Sequence, residues 1–322
     1  MTSQLHPDGT LRHLLTLDGL DRRFIEGLIE RAQGYLRPRD SAPARSNALA
    51  NVTVANLFFE PSTRTRASFE LAAMRLGAEV ISLDLHLSSR AKGESMLDTI
   101  HTLAAMGIDV FVVRDAGPGV PQFVAENLDS PTSVLNAGEA HLSHPTQGLL
   151  DAFTIIRHKG RLEGQVITIV GDIRHSRVAR SAVQAFSTLG ADDLRLVAPA
   201  ELMPDAHEFA GCQRFEDLDA ALPGADVVMM LRIQKERMTG ADIPDAAAYF
   251  KRFGLSAERL GRARPDAMVM HPGPMNRGVE IAEDVADGRQ SVIREQVTNG
   301  VALRMAVLEA VGGAIIRSRR PT

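Results

Sequence analysis

Val52-Thr53-Val54-Ala55-Asn56-Leu57-Phe58-Phe59 is a mostly apolar run rich in β-branched and aromatic residues, and it breaks into the turn Glu60-Pro61-Ser62. Such a run, without strict alternation, predicts a strand buried on both faces. Beyond the turn, Phe69, Ala72, Ala73 and Leu76 recur at spacings of three and four, the stripe of a helix lying on a core. Gly77 stands where the C-terminal cap of that helix belongs. Val80-Ile81-Ser82-Leu83 then supplies a second strand. This βα alternation implies a parallel sheet covered by helices on both faces.

The same alternation continues outward. A helix near 94–106, a strand at 109–114, a helix near 120–128 and a strand at 132–136 follow. A long helix starts at Pro145, carries Leu149, Leu150, Phe153 and Ile156 on one side, ends before Gly160, and is expected to join two domains. The second half repeats the scheme with strand 166–170, helix 177–189, strand 194–198, helix 216–222, strands 226–231 and 267–270, and a final helix over 291–315. Arg37 to Asn47 and Ile233 to Asp245 read as loops. The class is α/β, with two parallel-sheet domains and helices on both faces of each.

Composition agrees. A chain of 322 residues suits about two domains, and 44% hydrophobic with 24% charged residues suits a folded one. Lys and Arg number 36 against 40 Asp and Glu, a net charge of -4, with no Trp and 2 Tyr. Neither the field nor the stacking platforms of a nucleic-acid binder are there. The single Cys212 excludes an intrachain disulfide framework and a multi-cysteine zinc site, and fits a reducing compartment. No apolar run approaches 18 residues, and Met1-Thr2-Ser3-Gln4-Leu5-His6 does not read as a leader. The expectation is a soluble cytoplasmic protein that binds no membrane.

The conspicuous polar residues follow predicted strands, where open parallel sheets bind ligands, so six loops from two domains are expected to converge on one cleft. Ser62-Thr63-Arg64-Thr65-Arg66 opens a helix with hydroxyls, guanidinium groups and free N–H groups that suit a phosphate. The alternative is a Ser62 N-cap followed by solvated arginines. Arg114 and Arg232 each finish an apolar strand, and Arg177 opens a helix after Gly171-Asp172. Any one could snorkel to solvent; three together imply a polyanionic ligand set. There is no Walker A loop and no dinucleotide fingerprint, so neither ATP nor NAD is indicated.

His144-Pro145-Thr146-Gln147 puts an imidazole at a helix start, where the positive field favours the neutral ring and a hydrogen bond to a carbonyl oxygen; capping is the alternative. His141, three residues earlier, raises a metal pair, which the missing cysteine and Pro145 disfavour. His271-Pro272-Gly273-Pro274 is rigid and poor in N–H groups, so it presents carbonyls that could hold an amine, unless it is a mere turn.

Taken in order, Phe59-Glu60-Pro61-Ser62-Thr63-Arg64-Thr65-Arg66, Lys92-Gly93-Glu94, His144-Pro145-Thr146-Gln147, Gly171-Asp172 with Arg177, Arg232-Ile233-Gln234-Lys235-Glu236-Arg237 and His271-Pro272-Gly273-Pro274 resemble the aspartate/ornithine carbamoyltransferase family over essentially the whole chain. The resemblance implies carbamoyl transfer from carbamoyl phosphate to L-aspartate, a step of pyrimidine biosynthesis, without metal or cofactor. It implies that Ser62, Thr63, Arg64, Thr65 and Arg114 bind the phosphate, and that Gln147 and the Pro274 carbonyl, beside Gly273, hold the amino group. Thr65, Arg114 and His144 polarise the carbamoyl oxygen. Arg177 takes one aspartate carboxylate, and Arg232 with Gln234 the other. Ser88 and Lys92 come from a neighbouring subunit, which makes the active unit a homotrimer with shared sites. The domains implied are 1–145 plus 291–322 for carbamoyl phosphate and 146–290 for aspartate, with the C-terminal helix packing back on the first and closure bringing the reactants into line.

Ala91 stands where the best-known enterobacterial form has a second lysine, with little expected loss. No motif decides whether regulatory or dihydroorotase-like chains bind, so allostery stays open. An enzyme for ornithine or another amine predicts an acidic pocket, against which Arg232 and Gln234 argue, as does the absence of the Ser-Met-Gly and His-Cys-Leu-Pro segments of ornithine enzymes. A non-catalytic scaffold chain is disfavoured by the complete set Arg64, Lys92, Arg114 and His144.

Overall fold

The mostly apolar runs at 54–58, 110–113, 167–170 and 227–230 form strands whose residues are buried on both faces. The computed structural model describes residues 3–37, 42–84, 95–128, 131–234 and 245–319. The chain divides into two compact units, Met1–Leu150 with Thr298–Thr322, and Asp151–Val297.

The first unit contains α1 (Arg22–Tyr35), β1 (Thr53–Phe58), α2 (Thr63–Arg75), β2 (Glu79–Asp84), α3 (Met96–Ala105), β3 (Val110–Asp115), α4 (Val120–Glu126) and β4 (Ser133–Glu139). Its four strands are all parallel, in the order β2-β1-β3-β4. Ala55, Leu57, Phe111 and Val113 on one sheet face pack with Ile100 of α3 and Val124 of α4. On α2 the predicted stripe Phe69, Ala72 and Ala73 is buried, and Gly77 takes φ 79 after the helix end. A side chain such as Phe69, fully buried, contributes roughly 1.5–3 kcal/mol. Ser95 caps α3 by accepting from Asp98 N at 3.1 Å, and Asp21 caps α1 by accepting from Phe24 N at 2.7 Å.

The helix α5 (Pro145–Lys159) leads into the second unit. There follow β5 (Val166–Val170), α6 (Arg177–Thr188), β6 (Asp193–Val197), β7 (Gln213–Phe215), α7 (Leu218–Ala221), β8 (Val227–Met230), α8 (Ala246–Phe253), α9 (Ala257–Leu260), β9 (Met268–Met270), α10 (Glu283–Ala286) and α11 (Ile293–Ser318). Five parallel strands run in the order β7-β6-β5-β8-β9. The helix α11 is long and apolar enough to cross a membrane by length and composition alone, but it is mostly buried, as a core helix is. Its C-terminal part, from Thr298, belongs to the first unit, against which it packs.

Strand order adds what alternation could not supply. In the first sheet the chain steps from β1 to β2 on one side, then crosses to β3 on the other; in the second it steps from β5 through β6 to β7 before crossing to β8. Each reversal leaves a crevice beyond the carboxyl ends of two adjacent strands, β1 with β3 and β5 with β8. The expected helix at 216–222 is a single turn, α7, and α1, β7, α8, α9 and α10 are elements that patterning did not predict.

Candidate active site

At the first sheet's reversal, the turn after β1 delivers Ser62 to the N-cap position of α2. Its extended backbone, φ -161, fits a cap, but its hydroxyl makes no capping bond. The capping alternative is therefore not realised by the side chain, and the helix start keeps its positive field for an anion. Thr65 is buried one residue beyond the exposed Arg64, and Thr63 is exposed. Arg66 turns away, its guanidinium 5.9 Å from the Phe58 ring centre.

Arg114 sits in β3 opposite Phe58 of β1. It does not snorkel: its Nη2 pairs with Glu60 Oε1 at 2.6 Å and its Nη1 donates to the Ala137 carbonyl at 3.0 Å, with the side chain mostly buried. Three adjacent strand ends thus fix one guanidinium beside the Ser62–Thr65 helix start. The end of β4 is tied to β3 by Ala140 N donating to Asp115 O at 3.0 Å. His144 follows, 4% exposed, with its carbonyl accepting from Gln147 N at 2.9 Å and Gly148 N at 3.2 Å as α5 begins. Gln147 is buried and His141 is exposed.

The second reversal gathers Arg177, Arg232 and Gln234. Gly171 takes φ +136, and a Cβ there would lie 2.7 Å from the Leu231 carbonyl, so only glycine lets the β5 loop pass the end of β8. Asp172, fully buried, accepts from His175 N at 3.1 Å and lies 2.8 Å from His175 Nδ1. That wrap delivers Ser176 to cap α6, accepting from Ala179 N at 3.0 Å, and Arg177, buried, to the first helical position. After β8, Leu231 N donates to Val170 O at 2.7 Å, and Arg232 follows half-buried. Gln234 Nε2 donates to the His175 carbonyl at 3.1 Å and so joins the two loops.

Gly273 and Pro274 follow β9 in the same unit, with His271 buried behind them and a cis bond between Gly273 and Pro274. Burial pushes the Tyr249 phenol well above its ordinary value, reinforced by the Glu280 and Asp172 carboxylates. Burial also pushes the Cys212 thiol up to about 11, the wrong direction for a nucleophile. Ser88 and Lys92, like Gly93, Glu94 and Lys235 to Arg237, lie outside the described residues. Glu60 and Asp172 stand in the motifs quoted above without a role of their own, and Glu280 stands outside them; each is an acid in a polar turn, whose burial the pattern does not reveal.

Residues 12–157 match the carbamoyl-phosphate-binding domain of the aspartate/ornithine carbamoyltransferases, and residues 163–311 match their aspartate/ornithine-binding domain. Among solved structures, aspartate transcarbamoylase from Trypanosoma cruzi in complex with carbamoyl phosphate and aspartate is 31% identical, over 93% of this chain and 96% of that one, with a TM-score of 0.81. The same enzyme with aspartate and phosphate gives 29% identity over 93% and 94%, at a TM-score of 0.80. Ornithine carbamoyltransferase from Thermus thermophilus shares the fold at 24% identity, over 93% and 98%, with a TM-score of 0.81.

Proposed function

The chain belongs to the aspartate/ornithine carbamoyltransferase family, and from that premise we propose that it carbamoylates L-aspartate, giving N-carbamoyl-L-aspartate and phosphate as a step of pyrimidine biosynthesis. One observation carries the choice of aspartate: the second sheet's reversal holds Arg177, Arg232 and Gln234, a cationic and amide set that suits two carboxylates and repels an ornithine side chain. The ligands bound by the Trypanosoma cruzi enzyme, carbamoyl phosphate and aspartate, agree with that choice.

In the reaction, phosphate rests on the α2 start with Ser62, Thr63, Arg64 and Thr65, and on Arg114. The neutral amine attacks the carbamoyl carbon, and charge grows on the carbamoyl oxygen opposite Thr65, Arg114 and His144. Arg114 needs no reorganisation, since Glu60 and the Ala137 carbonyl already hold it. The C–O bond to phosphate then breaks, the amine sheds a proton, and phosphate leaves from its cationic cradle. Ser88 and Lys92 are assigned to a neighbouring subunit of a homotrimer in the cytoplasm. A colorimetric carbamoyl-amino-acid assay on the purified chain tests the reading. Turnover with aspartate should exceed that with ornithine by roughly 10³ or more, because ornithine brings an ammonium group to guanidinium groups that suit a carboxylate. Comparable turnover of ornithine overturns it.

A further inference from the structure

Glu280 exposes none of its side chain. Its Oε1 accepts from Asn276 N at 2.5 Å and lies 3.2 Å from His271 Nε2. His271 Nδ1 accepts the Gly273 N–H at 2.8 Å, so the ring proton sits on Nε2 and is donated to Glu280. From the other side, His271 N donates to Gln296 Oε1 at 2.9 Å, and Gln296 Nε2 donates to Asp151 Oδ1 at 2.9 Å. Asp151, Gln296 and His271 are all buried. The segment from His271 to Asn276 is therefore gripped at both ends, and among the described residues Glu280 is the group that touches both grips. Between them, ahead of Met275, stand Pro272 and Pro274, which have no N–H, and Gly273, whose N–H is spent on His271. What Pro272 to Pro274 can offer a ligand from their backbone is carbonyl oxygens.

Glu280 Oε2 finds no hydrogen-bond partner among the described residues. A buried carboxylate with one oxygen idle costs stability, so this acid is poorly explained as a device for holding the fold together. The hydrogen bonds its carboxylate makes among the described residues bear on the placing of one short turn. We propose that Glu280 is a positioning residue: through His271 Nε2 and Asn276 N it fixes the carbonyls of Pro272 to Pro274, of which the resemblance assigns that of Pro274 to the amino group of the carbamoyl donor. The inference rests on the function proposed above and adds a residue to it. Misplacing a binding group by about 1 Å can cost on the order of 10² in rate.

The test compares Glu280→Met with Glu280→Gln in the full chain. It measures kcat/KM for carbamoyl phosphate and the inhibition constant of inorganic phosphate, which carries no amino group. Glu280→Met should lower kcat/KM for carbamoyl phosphate by about 10² and leave the phosphate constant within about twofold. Glu280→Gln keeps an oxygen able to accept both N–H groups and should recover to within about fivefold of the parent. Should the methionine variant not fold, Glu280→Asp, which withdraws the carboxylate by one methylene, takes its place under the same criteria. The proposal is overturned by a near-normal methionine variant, by phosphate affinity falling in step with carbamoyl phosphate, or by a glutamine variant as impaired as the methionine one. A parent chain inactive with carbamoyl phosphate and aspartate overturns the proposed function itself.

Discussion

Arg114 and Arg232 both follow apolar strand residues, and that conflict between charge and burial is why they stood out in sequence. Arg114 belongs to the first unit and Arg232 to the second, so a deletion should separate their roles. Arg232→Ala should raise KM for aspartate about a hundredfold, the worth of a charged hydrogen-bonded contact of about 3 kcal/mol. Binding of carbamoyl phosphate, followed by calorimetry, should change by less than about threefold, since its phosphate is assigned to residues of the other unit and Arg232 is assigned none of its groups. Equal damage to both would show that Arg232 serves the shape of its loop. What sequence left unread at this scale is the grip on such groups. Glu60, which pairs with Arg114, and Glu280, beneath His271, look like turn acids until burial is known.

At the scale of elements, β1, β3, β5 and β8 were legible because central strands carry mostly apolar runs, interrupted only by residues such as Asn56 and Thr168. The short edge strand β7, with only Phe215 half-buried, has no such run, and α8 and α10 are too short to establish a period. The N-terminal segment was equally silent, yet it flanks β4: Leu14 N donates to Val134 O at 2.9 Å and Asn136 N to Leu14 O at 2.8 Å. Val134 N in turn donates to His13 Nδ1 at 3.0 Å, a bond that needs the neutral ring. Burial, with the Arg12 and His6 charges added, holds the His13 pKa down at about 4. Protons therefore favour the unfolded chain. Stability from this group is complete above the unfolded value near 6.5 and is lost as pH falls towards 4, by about 3 kcal/mol at most. Urea midpoints should show His13→Asn, which keeps an acceptor but does not titrate, losing about 2–3 kcal/mol less than the parent between pH 7 and about pH 4.5. Equal acid losses in both proteins would remove His13 from the account.

For the whole molecule, alternation implied two parallel sheets, but strand order, which puts Ser62–Thr65 and Arg114 at one reversal and Arg177, Arg232 and Gln234 at the other, is set by packing between distant segments and left no local mark. A residue supplied by another chain is harder still to read, because its partners lie outside the sequence that carries it. Lys92, which is assigned to a neighbour by resemblance alone, gives the claim that can be tested at this scale, since Arg177 is assigned to the chain's own site. Trimers of Lys92→Ala and trimers of Arg177→Ala should each be nearly inactive. In a closed head-to-tail ring containing both chains, one interface joins a chain that keeps Arg177 to a neighbour that keeps Lys92, and that site is intact. Two Lys92→Ala chains with one Arg177→Ala chain give one such interface, and so does the reverse mixture. Each isolated mixed trimer should therefore regain about one third of the parent kcat, whichever variant is in excess, when the two are dissociated, reassociated together and assayed. If mixed trimers form and remain inactive, Lys92 acts within its own subunit or not at all, and the shared site has to be given up while the assignment of Arg177 to aspartate stands.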